Sequence, residues 1–212
     1  MYVPAHFSVP ELEELHALIH EHPLGVMVAN TPNGLDANHI PFEFDAKEGE
    51  HGTLRAHVAR SNSFWQDVKD GDEVLVVFRG EEAYITPSWF PSKHEFHRQV
   101  PSWNYKVVHL HGKIKIRDDE RFVRGMVARL TRTHEASQPT PWKMTDAPAE
   151  YIDMMLKAIV GMEIEVTRIT GKFKLSQNRE LRDRLSLGEA LIAQGDVALG
   201  QATLDAIKEE QS

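Results

Sequence analysis

Short apolar segments separated by turn residues dominate the middle of the chain. Between residues 24 and 117 their hydrophobicity alternates or forms brief runs, with turn sequences such as TPNG and KEGEHG between them. A period of two is typical of strands, and short strands at this spacing are typical of a small barrel. The pattern predicts about six strands, over residues 24–30, 38–44, 53–59, 73–80, 83–86 and about 106–117.

Helical periodicity surrounds these strands. It predicts helices over residues 9–22, within 62–72, over 118–134 and over 149–159, then a final strand over 161–169. The tail from 178 to 211 is helical in character and is interrupted by glycines at 188, 195 and 200. The pattern therefore predicts an α+β fold, with one domain over residues 1–177 and a helical C-terminal appendage over 178–212.

The composition excludes several kinds of chemistry. The 212 residues include no cysteine, so disulfides, thiolate metal sites and cysteine nucleophiles are impossible. The chain has no G-x-S-x-G elbow, no phosphate-binding P-loop and no G-x-G-x-x-G fingerprint. It also lacks a signal peptide and a long apolar run, so we expect a cytoplasmic protein with no membrane partner.

The net charge of −8 is unevenly distributed. Residues 1–50 contain one basic and nine acidic residues, whereas residues 106–132 contain eight basic and three acidic ones. If DNA is a partner, this basic stretch is where it would bind. The alternative is an ordinary solvated helix face, since no helix-turn-helix is visible. The candidate nucleic-acid contacts are Lys113, Lys115, Arg121, Arg124 and Arg129.

Twelve histidines invite a metal site, yet none of the possible pairs has a companion motif. His109 and His111 lie two residues apart and so share one face of a strand. No metal site is predicted from them.

Basic and aromatic residues in loops and at strand ends suggest a different ligand. Guanidinium and ammonium groups beside hydroxyl donors suit a phosphate, and tryptophans beside amide donors suit a flat heteroaromatic ring. The alternative is that the tryptophans are core aromatics and the arginines form surface ion pairs. The residues concerned are Arg55, His57 and Arg60, then Ser88, Trp89 and Lys93, then Trp103 and Asn104.

The same strings carry a family resemblance. MYVPAHF, LRAHVARSN, AYITPSWFPSK, VPSWNYKVVHLHG, APAEYIDMMLKAIVGMEIEV and GKFKLSQNR, in this order, closely resemble the PaiB family of FMN-binding negative transcriptional regulators. The resemblance covers about residues 1–185. It implies a flavin-reductase-like, FMN-binding split β-barrel with peripheral helices, and a homodimer whose interface contributes to both flavin sites. Ser102 and Phe90 depart from the family, which more often has Thr and Tyr there.

Pyridoxamine-phosphate oxidases are similar more distantly. By that similarity Arg55, Arg60, Ser88 and Lys93 are the phosphate candidates, and His109 and His111 lie near the interface beside the flavin. Lys174 and Gln177, directly after the last strand, are candidates for the flavin edge. Alternatively, this polar cluster caps the C-terminal helix, with Ser176 or Asn178 as the N-cap.

Three functions follow as hypotheses. The resemblance implies a flavin-binding repressor of transcription. The alternative is an FMN-dependent oxidoreductase or flavin reductase, and a third class is a haem-handling protein. The catalytic residues, the signal and the substrate are not identified by the sequence.

Overall fold

The computed structural model describes residues 1–209, and residues 210–212 lie outside the described part. The chain forms two compact units. The larger unit comprises residues 19–78 and 109–169, and the smaller comprises residues 1–18, 79–108 and those from 170 to the end of the described part.

Strands and helices are distributed along the whole described chain. The strands are β1 (Ser8–Val9), β2 (Leu24–Thr31), β3 (Gly34–Pro41), β4 (Glu43–Asp45), β5 (Thr53–Ala59), β6 (Glu73–Ile85), β7 (Ser102–Arg117) and β8 (Ile159–Lys174). The helices are α1 (Leu12–Glu21), α2 (Phe64–Asp67), α3 (Pro91–Phe96), α4 (Glu120–Glu135), α5 (Ala149–Lys157), α6 (Leu181–Gln194) and α7 (Val197–Glu209). Short 3₁₀ turns span Ala5–Phe7, Pro87–Trp89 and Met144–Asp146.

In the larger unit the sheet has the order β3-β2-β6-β7-β8-β5-β4. β5 pairs antiparallel with β8, so that Arg55 lies opposite Glu163 and His57 opposite Gly161. Leu54, Ala56 and Val58 point into the core, where each is at most 6% exposed. Because side chains alternate along a strand, Arg55 and His57 lie together on the other face of β5.

Helix α4 covers that other face. The Asp119 carboxylate caps its first turn by accepting from the Phe122 amide at 2.8 Å. Val123, Met126 and Leu130 follow at helical spacing and are buried. The amphipathic pattern of the sequence thus places α4 over Arg55 and His57.

In the smaller unit β1 pairs with the end of β8, with Ser8 opposite Lys172. Helices α6 and α7 form a hairpin that turns at Gly195, whose φ of 101° favours glycine. Gly188 and Gly200 bring the two helix backbones close together: a Cβ on Gly200 would lie 2.8 Å from the Gly188 carbonyl oxygen. The predicted interruptions at Gly188 and Gly200 are therefore wrong, because these glycines lie inside α6 and α7 and let the helices pack closely, whereas Gly195 does end α6.

Most predicted elements are present, but three further predictions of detail are wrong. Residues 73–80 and 83–86 form the single strand β6, which continues through Gly80. The predicted strand over 38–44 is divided at Phe42, because the residues up to Pro41 pair with β2 whereas Glu43–Asp45 pair with β5. The N-cap of α6 is Glu180, and neither Ser176 nor Asn178 caps that helix.

The predicted boundary between residues 177 and 178 stays a prediction. Helices α6 and α7 belong to the same compact unit as α3 and the first part of α1. The last residues of the predicted tail, 210–212, lie outside the described part. None of the helices in residues 1–209 has the length and apolar character needed to cross a membrane.

Candidate functional site

The structure separates the predicted ligand-binding residues into two groups, one in each unit. The larger unit contains Arg55, His57, Arg60, His109 and His111. The smaller unit contains Ser88, Trp89, Lys93, Trp103, Asn104, Lys174 and Gln177.

Arg55 is occupied by carboxylates of its own unit. Its guanidinium group donates to Glu163 at 3.0 Å and to Glu48, and the residue is only 8% exposed. Burial lowers the pKa of Arg55, but the hydrogen bonds and charges of Glu48 and Glu163 outweigh it, so the net shift is upward. The side chain of Arg55 therefore already has anionic partners inside the protein.

The Arg60 side chain also has its bonding partners within the protein. It donates to the carbonyl of Lys157 at 2.8 Å and to that of Ile159 at 3.1 Å, and it pairs with Asp118 at 2.5 Å. These contacts tie the end of α5 to the chain before α4. The hydrogen bond between Arg60 and Asp118 raises the pKa of Arg60 and lowers that of Asp118. For both arginines the structure thus has the ion pairs that the alternative interpretation expected.

The three histidines of the larger unit have different surroundings. His57 lies on the α4-covered face of β5, and its Nδ1 is buried with no hydrogen-bond partner among the described residues. Burial lowers the pKa of His57 and of His109, which favours the neutral imidazole in both. His111 is 3.4 Å from the Glu73 carboxylate.

In the smaller unit Ser88, Trp89 and Lys93 lie on one short segment, the 3₁₀ turn Pro87–Trp89 followed by α3, which α6 holds in place. We refer to this segment as the loop. The carboxyl group of Asp183, which is fully buried, accepts from the Ser92 amide at 3.0 Å and from the Ser92 hydroxyl at 2.5 Å. Within this loop Ser88 is exposed and Lys93 is half-buried. The sequence placed these residues correctly near one another, but it gave no signal that a buried acid in the tail anchors their loop.

Three cations gather where β8 ends. Lys174 donates to the Ser102 hydroxyl at 2.5 Å and to the carbonyl of Trp103. Burial, together with the charges of Lys172 and Arg179, lowers the pKa of Lys174. We name Lys172, Lys174 and Arg179 the Lys174 cluster.

No member of the Lys174 cluster forms an ion pair with a carboxylate among residues 1–209. Lys172 contacts the ring of Tyr105, and Arg179 donates to Gln99 and lies 5.6 Å from the ring centre of Phe90. A partly buried cation with cationic neighbours and no counter-charge is stabilised by a bound anion. The cluster therefore fits a phosphate group better than Arg55 or Arg60 does.

Aromatic side chains beside the cluster remain accessible. Trp103, whose carbonyl accepts from Lys174, is 54% exposed, and its ring lies 6.0 Å from that of Tyr84, which is 49% exposed. Trp103 is therefore not a core aromatic, and Trp89 is half-buried. An exposed ring pair next to unneutralised cations suits a ligand with a flat ring and a phosphate.

Asn104 and Gln177 are directed toward the protein. Asn104 is fully buried, and its amide exchanges hydrogen bonds with the Ser176 hydroxyl at 3.0 and 3.2 Å. Gln177 bonds the backbone of Leu175 and Phe173, both at 2.7 Å. These contacts hold the turn after β8, where Ser176 has a φ of 67°, and so position Lys174.

The candidate nucleic-acid contacts do not form one free basic face. Arg124 pairs with Glu120 at 3.0 Å and with Asp153, and Arg129 donates to Glu43 at 3.0 Å. Lys113, Lys115 and Arg121 are exposed and have no ion pair among residues 1–209. The acidic neighbours of α4 thus offset much of the positive charge that the sequence counted in residues 106–132.

Comparison with known proteins gives the family. The family model described as "Putative FMN-binding domain" matches residues 1–168. The protease synthase and sporulation protein PAI 2 of Bacillus subtilis is 31% identical over 191 residues, which cover 90% of this chain and 89% of that protein.

Solved structures agree on the fold. The FAD and heme binding protein from Mycobacterium smegmatis superposes with a TM-score of 0.59 at 14% identity, covering 79% of this chain and 73% of that one. The flavocytochrome Anf3 from Azotobacter vinelandii superposes with a TM-score of 0.59 at 10% identity, covering 81% of this chain and 72% of that one. The predicted α+β split-barrel class is confirmed. The family match and the resemblance noted in the sequence agree, and the chain belongs to the PaiB-type family of flavin-binding proteins.

Proposed function

We propose that this protein binds FMN in its smaller unit, with the phosphate on the Lys174 cluster and the ring system beside Trp103. The observation that carries the proposal is the set of three neighbouring cations without a carboxylate partner among residues 1–209, one of them partly buried. The description of the family as FMN-binding supports the choice of ligand. Two of the structural neighbours, an FAD and heme binding protein and a flavocytochrome, have names that point to the same class of cofactor.

Within this site the residues have separable roles. Lys174 would donate to a phosphate oxygen while Lys172 and Arg179 add charge, and Ser88 and Lys93 would extend the same polar surface from the anchored loop. Trp103 and Tyr84 would lie against the ring and exclude water from one side of it. The bound isoalloxazine would supply electron transfer, and the protein would supply its position and electrostatic surroundings.

The role that we propose for the flavin protein is regulation of transcription as a homodimer. The similarity to PaiB proteins supports this role, and the exposed aromatic residues of the smaller unit supply apolar surface of the kind that a dimer buries. Direct DNA binding would use Lys113, Lys115 and Arg121, because Arg124 and Arg129 are occupied by acids. Removing these three charges together would then abolish retention of DNA in a salt-titrated shift assay.

The ligand is tested by its spectrum and its affinity. We expect the purified or FMN-reconstituted protein to have flavin absorption and to release FMN on denaturation. A protein that stays colourless after addition of FMN contradicts the proposal.

The phosphate contact is tested by replacing Lys174 with Met. Losing a charge-assisted hydrogen bond of about 1.5–3 kcal/mol weakens FMN roughly tenfold or more, measured by flavin fluorescence. The affinity for riboflavin, which has no phosphate, should change little. Lys113→Met is the matched control, since Lys113 is an exposed lysine of the larger unit. Equal losses of affinity for FMN and riboflavin would show that the phosphate binds elsewhere.

Anaerobic mixing of the holoprotein with NADH then separates a regulator from the oxidoreductase alternative, because only in a reductase is the flavin absorption bleached rapidly.

A further inference from the structure

Two cavities of the larger unit adjoin one another beside α4. The first, of about 540 Å³, lies between α4 and residues 136–145, and the second, of about 320 Å³, reaches the face of β5. Thr131, Glu135 and Trp142 line both cavities. The two cavities are thus neighbours with three lining residues in common, and we name them together the Trp142 groove.

The walls of the Trp142 groove are held in place by the fold. The Trp142 amide donates to the Glu135 carboxylate at 2.8 Å, which ties the segment after α4 back to the helix. Two residues further on, Met144 packs against the buried cluster of Val123, Ile152 and Leu156. A groove whose walls are already ordered costs little conformational entropy to occupy.

Apolar and aromatic groups make up most of the lining. Ala128, Ala136, Pro141 and Met144 line the larger cavity together with Trp142, and Val127 and Leu130 line the smaller one. Trp142 is 42% exposed, so its indole remains available to a ligand. Polar and charged side chains complete the lining: Arg132, Lys143 and Thr145 in the larger cavity, His134 in the smaller one, and Thr131 and Glu135 in both. Concave sites of this size with an aromatic wall are typical of small-molecule binding.

His57 supplies a polar group at the inner end. Its ring lines the smaller cavity, while its Nδ1 is buried and has no partner among the described residues. An unpaired acceptor is less costly to bury than an unpaired N–H, so the proton of the neutral imidazole belongs on Nε2. Since Nδ1 is inaccessible, the edge of the ring that carries Nε2 is the edge that can face a ligand.

We propose that the Trp142 groove binds a small, neutral, flat aromatic molecule that carries one hydrogen-bond acceptor. Trp142 stacks against its ring, and His57 donates from Nε2 to its acceptor. The groove lies wholly in the larger unit, so the proposal does not depend on the flavin site in the smaller unit.

Quinoline and naphthalene are the probes, because they have nearly the same shape and only quinoline has an acceptor nitrogen. Each is titrated near neutral pH into the full chain, both with saturating FMN and without added FMN, and binding is followed by amide chemical shifts in NMR. We expect shifts around Thr131 and Trp142, and a preference for quinoline of about fivefold, the value of one hydrogen bond. If FMN saturation abolishes quinoline binding, the groove belongs to the flavin and the proposal fails.

Variants test the two residues separately. We expect His57→Phe to abolish the preference for quinoline and Trp142→Ala to weaken both probes about fivefold. Thr131→Trp should block the junction of the two cavities, whereas Thr133→Trp is the matched control, since Thr133 is exposed on the same helix and does not line the groove. Quinoline affinity that is unchanged in Thr131→Trp and in His57→Phe overturns the proposal.

Discussion

At the residue scale, one buried carboxyl group orders the loop that bears Ser88 and Lys93. Asp183 accepts two hydrogen bonds from Ser92, and neither residue is more than 3% exposed. Replacing Asp183 with Ala leaves two buried donors without an acceptor, which we expect to lower the free energy of unfolding by about 3 kcal/mol. Urea denaturation measures this loss. Glu189→Ala, at an exposed position of α6, should change the stability by less than about 0.5 kcal/mol, and an equal effect of both changes would contradict this role for Asp183.

The burial of His57 determines part of the pH dependence of the protein's stability. Burial lowers the pKa of His57 in the folded state from its ordinary value of 6.5, so below that value the unfolded chain binds the proton more readily. The stability from neutral His57 is therefore present above pH 6.5 and is lost as the pH falls. In His57→Gln the decline between neutral and mildly acidic pH becomes shallower by at most about 1.4 kcal/mol per pH unit. His109, shifted in the same direction, keeps its own contribution in the variant. Identical slopes for the two proteins would show that His57 is not the titrating group.

The sequence identified cationic residues well but not their partners. The sequence makes Arg55 a candidate for the phosphate and Lys174 a candidate for the flavin edge. Of the two, only Arg55 has acids beside it, and one of them, Glu163, comes from a strand more than a hundred residues away. Pairings at such a distance in the chain leave no local signal. The same holds for Asp183, whose partner Ser92 is 91 residues earlier.

At the element scale, the α6–α7 hairpin depends on close contact between two helix backbones. A Cβ on Gly200 would lie 2.8 Å from the Gly188 oxygen and 3.0 Å from the Ile192 nitrogen, and these backbone atoms cannot move aside. We expect Gly200→Ala to lower the free energy of unfolding by about 1–3 kcal/mol. Gly125→Ala in α4 is the control, since a Cβ there meets only the flexible Arg129 side chain at 3.4 Å. It should stabilise the protein by up to about 1 kcal/mol through helix propensity. Stabilisation by both substitutions would show that the hairpin tolerates a wider separation.

Element type followed from periodicity, whereas the ends of elements did not. The alternating pattern found β5 and β7, and the amphipathic pattern found α4 with its buried face. Glycine suggested breaks that do not exist in both a strand and a helix pair, because Gly80 continues β6 and Gly188 and Gly200 allow α6 and α7 to pack closely. A glycine lowers the local preference for regular structure, but its neighbours in space decide whether the element ends there.

At the scale of the whole molecule, the net charge of −8 says little about any one surface. The acidic N-terminal segment supplies Glu43 and Glu48, which neutralise Arg129 and Arg55. Charge that looks segregated along the chain is therefore mixed in the larger unit, while the Lys174 cluster of the smaller unit keeps its positive charge. A flavin phosphate at that cluster would bring an anion to the place where the fold lacks one.

The proposed homodimer makes a prediction about mass and flavin binding together. Trp103 and Tyr84 form an exposed aromatic pair beside the Lys174 cluster, and a dimer that contributes to both flavin sites would bury such a pair. We expect light scattering to give about twice the chain mass of 24.1 kDa, and Trp103→Arg to return the protein to one chain while weakening FMN. Tyr151→Arg is the matched control, because Tyr151 is 49% exposed on α5 of the larger unit and should leave both properties unchanged. A Trp103→Arg protein that stays dimeric and keeps its FMN affinity would place the interface and the flavin ring away from Trp103. A dimer that persists while FMN is lost would instead assign Trp103 to the ring alone.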